Sequence, residues 1–179
     1  MKKRLFVAVE IPGKIKEKIL ELQKNFEQHL NDVSWVKPEN MHLTLIFLGE
    51  ADYNHIPDII AGLEELKENA FEVSLADIGG FPNLNRPHAL WVGVKENPAI
   101  NYLHKKISKS LSELNFNLDD RKFFPHITFG RLKRPKTLKK LPSIQIDLGS
   151  FWAKEFILFD STLTQKGPKH KIIKKFLLM

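Results

Sequence analysis

The sequence predicts an α+β fold built from two related lobes, each an antiparallel sheet with helices on one face. A strand, a helix, two extended segments and a second helix come first, and a similar series follows. A tetrapeptide is also repeated: His42-Leu43-Thr44-Leu45 and His126-Ile127-Thr128-Phe129 both read His, apolar, Thr, apolar. No low-complexity linker interrupts the chain, so we expect residues 1–179 to form a single two-lobed domain.

Hydrophobic periodicity predicts each element of the first half, with period 2 for strands and 3.6 for helices. Pro57 is placed at the start of a helix, where its missing N–H costs nothing. The predicted elements are a strand over Arg4–Glu10, a helix over 14–30, an extended segment over 33–36, a turn over 38–40, a strand over His42–Leu48 closed by Gly49, and a helix from Pro57 with an apolar face of Ile59, Leu63, Leu66 and Ala70.

The second half follows the same logic, and we expect the lobes to divide loosely near residues 79–87. The predicted elements are a strand over Phe71–Ile78 ended by Gly79 and Gly80, a loop over 81–87, a strand over Ala89–Val94, a helix from Pro98 with an apolar face of Ile100, Leu103, Ile107, Leu111 and Leu114, a strand over Phe123–Gly130, alternation at Ile144, Ile146 and Leu148 and within 154–163, and a last strand over Ile172–Leu178.

The repeated tetrapeptide is the strongest functional signal. Because successive strand residues point to opposite faces, the His and Thr of each copy share one face and the two apolar residues share the other. A single such strand is usually structural, but two copies in like contexts favour an active site. One imidazole of His42 and His126 can accept a proton while the other donates one. The hydroxyls of Thr44 and Thr128 can stabilise negative charge on a phosphorus centre.

Composition limits the classes of partner and chemistry. The net charge is +7, with 23 lysines among the 28 basic residues, which suggests a polyanionic partner. Much of the excess follows the second motif, at Lys133, Arg134, Lys136, Lys139 and Lys140, or lies later, at Lys166, Lys169, Lys171, Lys174 and Lys175. The absence of cysteine excludes disulfides and thiolate chemistry. There is no apolar run long enough to span a membrane and no signal peptide, so we expect a cytoplasmic protein.

A metal site and a nucleotide loop are the competing interpretations. No acidic residue lies two or four positions from either motif histidine, and the sequence has no HExxH, P-loop or GxGxxG. We therefore predict a site without metal or cofactor. Arg131, directly after the second motif, is a candidate phosphate ligand because its guanidinium matches phosphate oxygens. Phe123 and Phe124 are assigned to the core rather than to base stacking.

The chain resembles the 2H phosphoesterase superfamily, specifically the RNA 2′,3′-cyclic phosphodiesterases once named 2′-5′ RNA ligases. The resemblance covers nearly the whole length. The segments that carry it are Arg4–Val9 with Pro12, Asn40–Leu45, Phe47–Gly49, Phe81-Pro82, Arg86-Pro87, Leu90–Gly93, Pro125–Thr128 through Arg131, and Ser161, Leu163 and Gly167. One position departs from the family: His170 stands where a tyrosine often follows the glycine by three residues.

The resemblance implies a pseudo-twofold fold with one His-x-Thr strand per lobe and a basic cleft between the lobes. It implies hydrolysis of a terminal RNA 2′,3′-cyclic phosphate to a 2′-phosphate, with possible reversal to join 2′-5′ ends. We assign His126 as the base on water and His42 as the acid at O3′, although the reverse order stays open. A phosphodiesterase for small cyclic nucleotides and a non-catalytic RNA-binding module are the alternatives. The sequence does not determine oligomeric state, and we expect a monomer.

Overall fold

The predicted α+β class is confirmed by the structure, a computed structural model that describes residues 2–134, 137, 147–165 and 167–179. Turns of 3-10 helix lie at Pro38–Asn40 and Tyr53–His55. The strands and helices are β1 (Lys2–Glu10), α1 (Gly13–Glu27), β2 (Val33–Trp35), β3 (His42–Asp52), α2 (Ile56–Glu64), β4 (Phe71–Phe81), β5 (Ala89–Val94), α3 (Pro98–Glu113), β6 (His126–Leu132), β7 (Ser150–Ala153), β8 (Glu155–Thr164) and β9 (Gly167–Leu177).

The two lobes are the two halves of one antiparallel sheet. Among the described residues the strand order is β7-β4-β5-β6-β3-β1-β8-β9, and β2 pairs with β6. The halves meet where β3 pairs with β6, through the single residue pair Leu43 and Ile127. The two motif strands are therefore the innermost strand of each lobe.

The expectation that the chain divides near residues 79–87 is wrong. Strands β4 and β5 flank that loop and pair with each other, so both belong to one lobe. The other lobe combines β1 and β3 with the C-terminal β8 and β9. The lobes interleave along the chain because antiparallel pairing, not sequence proximity, decides which strands share a sheet.

The helices cover the face of the sheet opposite to the motif histidines. Leu43 and Ile127 are fully buried in the apolar cluster that also holds Ile19 of α1 and Ile107 of α3. Helix α1 packs on β6, where the rings of Phe26 and Phe129 lie 5.5 Å apart, and α3 packs on β3. Burying each large apolar side chain contributes roughly 1.5–3 kcal/mol, so the apolar half of each motif anchors its strand.

Two predicted strand ends lie inside strands instead. Gly49 has φ +73° at an irregularity in the β1–β3 pairing, and β3 continues beyond it to Asp52. Gly79 lies within β4 because the indole of Trp91 occupies the space of a side chain, so that a Cβ there would be 2.0 Å from the ring. A glycine permits such a close approach without ending a strand.

Other boundaries differ by local packing. Helix α1 ends at Glu27 and α2 at Glu64, so Ala70 lies outside a helix and its N–H donates to the carbonyl of Met179. Strand β6 begins only at His126, and strand β7 was not predicted. Leu148 is buried outside a strand, whereas the alternation at Ile144 and Ile146 lies outside the described residues. No helix in the described part of the chain is long and apolar enough to cross a membrane.

Candidate active site

The pairing of the two motif strands brings both copies of the motif together. Because Leu43 faces Ile127 in an antiparallel pair, the flanking residues are opposed as His42 with Thr128 and Thr44 with His126. All four side chains point away from the helices, on the face opposite to Leu43 and Ile127. The two histidines lie on the diagonal of this square, a spacing of about 7–8 Å in an antiparallel sheet. That spacing leaves room for one phosphate between two imidazoles.

A β-bulge follows each motif threonine. In β3, Thr44 pairs with Ala8 and Ile46 pairs with Val7, so Leu45 has no partner in the pairing. In β6, Thr128 pairs with Trp91 and Gly130 pairs with Leu90, so Phe129 has none. The extra residue reverses the alternation of faces beyond it. Phe47 and Arg131 thereby reach the same face as the histidines.

The bulge in β6 is stabilised from α1. The carbonyl of Phe129 accepts hydrogen bonds from the backbone N–H of Val36 at 3.0 Å and from Nε2 of Gln23 at 2.8 Å. Gln23 is buried and also donates to the carbonyl of Val36 at 2.8 Å. A buried amide with both donors bonded fixes the bulge that orients Arg131.

Each motif histidine is oriented by a carbonyl two residues upstream. Nδ1 of His126 lies 2.7 Å from the carbonyl oxygen of Phe124, and the ring of His42 is hydrogen-bonded by the backbone of Asn40. A carbonyl only accepts, so Nδ1 of His126 carries the proton and its Nε2 is left for the cleft. Asn40 is itself tied to β9, because its Nδ2 donates to the carbonyl of Pro168 at 3.0 Å.

Burial disfavours the protonated, cationic form of both motif histidines. It is the main cause that lowers the pKa of His42 from 6.5 to about 3, with smaller contributions from the positive charges of His170, Arg131 and Lys16. Burial also lowers the pKa of His126, and the charge of Arg131 acts in the same direction. In both residues the hydrogen bond to the backbone carbonyl opposes the shift. A bound anion would favour the protonated form of either ring.

All five predicted site residues line one cavity of about 450 Å³. They are joined there by Arg4 and by a third imidazole, His170. No Asp or Glu occurs among the described residues that line it, so the cavity favours anions. Its lining comprises Arg4, Phe6, Val36, Asn40, His42, Thr44, Phe47, His126, Thr128, Arg131, Ser161, Leu163, Pro168 and His170.

The sequence-based selection of residues missed Arg4, Phe6 and Phe47. Arg4 and Phe6 alternate on β1, and the ring of Phe6 packs against that of His42 with a centroid separation of 4.8 Å. His170 lies 4.9 Å from Phe6 and 5.2 Å from His42. Period-2 alternation in β1 could have placed Arg4 and Phe6 on one face, but not on the face of the histidines.

The assignment of Phe124 to the core is wrong. Its side chain is 47 % exposed and its ring lies 6.2 Å from that of His126. Phe123 does pack against the core, with its ring stacked 4.0 Å from His104. Phe124 is therefore exposed beside a motif histidine, whereas Phe123 belongs to the core.

Two further expectations concern charge and metals. Within the described residues, no three histidine or carboxylate side chains are grouped so that they could share a metal ion. In the basic segment after the second motif, Lys133 and Arg134 are described and exposed. Lys136, Lys139, Lys140 and Lys166 lie outside the described residues.

Known proteins resemble this chain in both sequence and fold. Residues 9–91 match the model of a family described as LigT-like phosphoesterase. An RNA 2′,3′-cyclic phosphodiesterase of Methanocaldococcus jannaschii is 36 % identical over 97 % of this chain and 99 % of its own length. The corresponding protein of Archaeoglobus fulgidus is 35 % identical, with the same coverage. The crystal structure of TT0787 of Thermus thermophilus superposes with a TM-score of 0.86 at 30 % identity, covering 98 % of this chain and 97 % of that one.

Proposed function

Because the chain belongs to the LigT-like phosphoesterases of the 2H superfamily, we propose that it hydrolyses terminal 2′,3′-cyclic phosphates of RNA to 2′-phosphomonoesters. The observation that carries this proposal is the His–Thr square at the junction of the two lobes, set in a cavity without carboxylates. The relatives from M. jannaschii and A. fulgidus are named RNA 2′,3′-cyclic phosphodiesterase. Each aligns with 97 % of this chain.

The geometry supports an in-line displacement at phosphorus. One imidazole removes a proton from water, whose oxygen forms a bond to phosphorus. The P–O3′ bond breaks on the opposite side, and the second imidazole gives its proton to O3′. The hydroxyls of Thr44 and Thr128 and the guanidinium of Arg131 stabilise the charge on the non-bridging oxygens. The products are a 2′-phosphomonoester and a free 3′-hydroxyl.

The electrostatics of the site bear on which of His42 and His126 is the acid and which is the base. The sequence-based order has His126 as the base and His42 as the acid. Burial lowers the pKa of both motif histidines, and that of His42 falls to about 3, so His42 is the one held neutral and able to accept a proton. We therefore infer the reverse order, with His42 as the base on water and His126 as the acid at O3′.

The direct test is turnover of an oligoribonucleotide that ends in a 2′,3′-cyclic phosphate. We expect a product heavier by one water, and phosphorus NMR should show a 2′-phosphomonoester. Turnover of 2′,3′-cyclic mononucleotides alone would support the small-nucleotide alternative. Binding of the oligonucleotide without any product would support a non-catalytic RNA-binding module. The 2′-5′ ligase activity, the cytoplasmic location and the monomeric state stay predictions.

Chelation is expected to leave this turnover unchanged. Two histidines and fixed hydrogen-bond donors can supply the proton transfers and charge stabilisation that a Lewis acid supplies elsewhere. The measurement is the rate on cyclic-phosphate RNA before and after dialysis against EDTA. A rate that fell on chelation and returned with a divalent ion would contradict the prediction.

Replacing Arg131 is expected to lower kcat/KM roughly 10- to 100-fold, the usual worth of a hydrogen bond to a charged group. Arg131→Lys should lose less kcat/KM than Arg131→Ala but should not reach the wild-type value, because lysine keeps the charge and lacks the bidentate fork. Because the charge of Arg131 lowers the pKa of both motif histidines, Arg131→Ala should also move the pH profile to higher pH.

The exposed lysine Lys133 provides the control for Arg131. We expect neutralisation of the segment from Lys133 to Lys140 to weaken activity on long RNA at low salt and to spare a cyclic-phosphate dinucleotide. Arg131→Ala should impair both substrates. Equal effects of the lysine segment on both substrates would place those lysines in the active site and contradict the assignment.

A further inference from the structure

A third imidazole, that of His170, lies beside His42 at one end of the cavity. The two ring centroids are 5.2 Å apart, and the rings are nearly perpendicular, at 85°. His170 belongs to β9, which is three strands away from β3 in the sheet. Neighbouring strands are about 4.8 Å apart, so a flat sheet would place β3 and β9 about 14 Å from each other. The sheet therefore curls until the start of β9 closes the His42 end of the cleft.

An aromatic ring from β1 fixes both imidazoles. The ring of Phe6 lies 4.8 Å from that of His42 and 4.9 Å from that of His170. Phe6 is itself fully buried and stacks at 5.0 Å on Phe159 of β8. The rings of His42, His170 and Phe6 therefore contact one another as one packed group, and the two imidazoles cannot move apart without disturbing it.

The backbone links β9 to His42 a second time. The carbonyl of Pro168, two residues before His170, accepts a hydrogen bond from Nδ2 of Asn40 at 3.0 Å. The backbone of Asn40 in turn hydrogen-bonds the ring of His42. On its other side, His170 pairs with Ser161 of β8. These contacts hold His170 at a short and constant distance from His42, so a charge on one ring acts directly on the other.

The charged groups that share the cavity with the two imidazoles are positive. Arg4 of β1 and Arg131 of β6 line it, and none of the described lining residues is a carboxylate. A proton that enters this end of the cleft therefore adds to an existing positive potential.

Strands β1 and β8 also carry two carboxylates, and lysines bind both. The carboxylate of Glu10 lies 3.9 Å from Nζ of Lys16 and 3.8 Å from Nζ of Lys175. The carboxylate of Asp160 accepts a hydrogen bond from Nζ of Lys3 at 2.6 Å. Neither carboxylate is therefore free to pair with a protonated imidazole in the cleft.

The two imidazoles take up protons in a fixed order. Burial lowers the pKa of His170, but the pKa of His42 falls further, to about 3. His170 is therefore protonated first as the pH decreases, and its charge then opposes a second proton on His42. After burial, this charge is the largest cause that lowers the pKa of His42, ahead of the charge of Arg131.

We propose that His170 is a positioning residue for the reaction: it takes the proton that would otherwise reach His42, and it thereby keeps His42 available as the base. This inference rests on the proposed function and on the assignment of His42 as the base. The same positive charge attracts the anionic phosphate to the His42 end of the cleft. The tyrosine that often stands at this position in the family could not do this, because a phenol is never cationic.

NMR titration of the ring resonances of His42 in the whole protein, without substrate, tests the proposal over the pH range in which the fold persists. His170→Tyr keeps an aromatic ring and removes the charge, whereas His170→Gln removes both. Each should raise the midpoint of His42 by roughly 0.5–2 pH units, the effect of one charge at about 5 Å for an effective dielectric constant of roughly 20–80. Lys169→Gln removes the charge of an exposed neighbour on the same strand, and as the matched control it should leave the midpoint unchanged.

The rate on a cyclic-phosphate dinucleotide gives the second readout. If His42 is the base, the acid limb of kcat/KM should move to higher pH in both His170 variants, by the same interval as the NMR midpoint. A shifted midpoint with an unshifted acid limb would mean that His42 is not the base, and would overturn the proposal. A midpoint shifted by His170→Gln alone would overturn it too, since His170 would then act by packing rather than by charge.

The NMR titration does not depend on turnover, so the two proposals fail separately. Absence of hydrolysis with midpoints raised in both variants would overturn the proposed function and leave intact the electrostatic effect of His170 on His42. Hydrolysis with unchanged midpoints in both variants would overturn the role of His170 and keep the proposed function.

Discussion

Replacing His42 or His126 by alanine is expected to lower kcat/KM on cyclic-phosphate ends by roughly 10²–10⁴-fold, the usual contribution of a positioned proton donor or acceptor. Each variant keeps its partner histidine and both threonines, so substrate binding should change far less than turnover. The measurement is single-turnover kinetics on an oligoribonucleotide with a cyclic end. His29→Ala, at an exposed position, is the matched control and should retain full activity. Near-full turnover by His42→Ala would remove that residue from the mechanism.

A sulfur substitution in the substrate distinguishes the acid from the base. A cyclic phosphorothiolate with sulfur in place of O3′ has a leaving group that needs no proton, so it should rescue only the variant that lacks the acid. We expect His126→Ala to be rescued and His42→Ala to remain slow. Rescue of His42→Ala instead would establish the order assigned from the sequence. Rescue of neither variant would contradict the assignment of either histidine as the acid at O3′.

The sequence was sufficient for the chemistry because the motif is local. A His-x-Thr strand places its polar pair on one face under simple alternation, and Leu43 and Ile127 bury the other face. The same argument works for helix α3, whose four buried residues Ile100, Leu103, Ile107 and Leu111 recur at helical spacing. Both predictions depend only on residues within one element, so no knowledge of neighbouring strands was needed.

Alternation fails at the bulges, where partners distant in sequence decide the geometry. Counting in steps of two from His126 puts Gly130 in the cleft and Arg131 on the opposite face. The unpaired Phe129 reverses this, and Gln23, more than 100 residues earlier, holds its carbonyl. Arg131 was selected by its guanidinium and its position directly after the second motif, but the periodicity of the sequence would have rejected it. The same reversal after Leu45 brings Phe47 to the face of the motif histidines.

The assignment of strands to the two lobes could not be predicted from the sequence, for a related reason. Gly79 and Gly80 read as a strand end, since glycine is uncommon within strands. The ring of Trp91 needs the space above Gly79, and that contact exists only once β4 and β5 have paired. A glycine required by a cross-strand neighbour is indistinguishable, in one sequence, from a glycine that ends a strand.

Acidification is expected to destabilise the free protein through His42. Its pKa is about 3 when folded and 6.5 in the reference state, so the unfolded chain binds more protons between these values. The free energy of unfolding is therefore fully retained above pH 6.5 and falls as the pH decreases towards 3. From pH 7.5 to pH 5 the loss from one such histidine is about 2 kcal/mol, at 1.4 kcal/mol per pH unit once the unfolded form is protonated. Burial lowers the pKa of His126 too, which adds to the same trend.

Urea unfolding at pH 7.5 and pH 5 measures this effect, in a window where most carboxylates stay ionised. His42→Gln should lose less stability over the window than wild type, because glutamine does not titrate, whereas the exposed His29→Gln should behave like wild type. Inorganic phosphate should restore part of the stability of wild type at pH 5, since an anion between the imidazoles favours their protonated forms. An identical pH dependence in wild type and His42→Gln would show that His42 is not held neutral. The electrostatic reason for assigning it as the base would then be lost, while the His–Thr square and the thio-substrate test would stand independently.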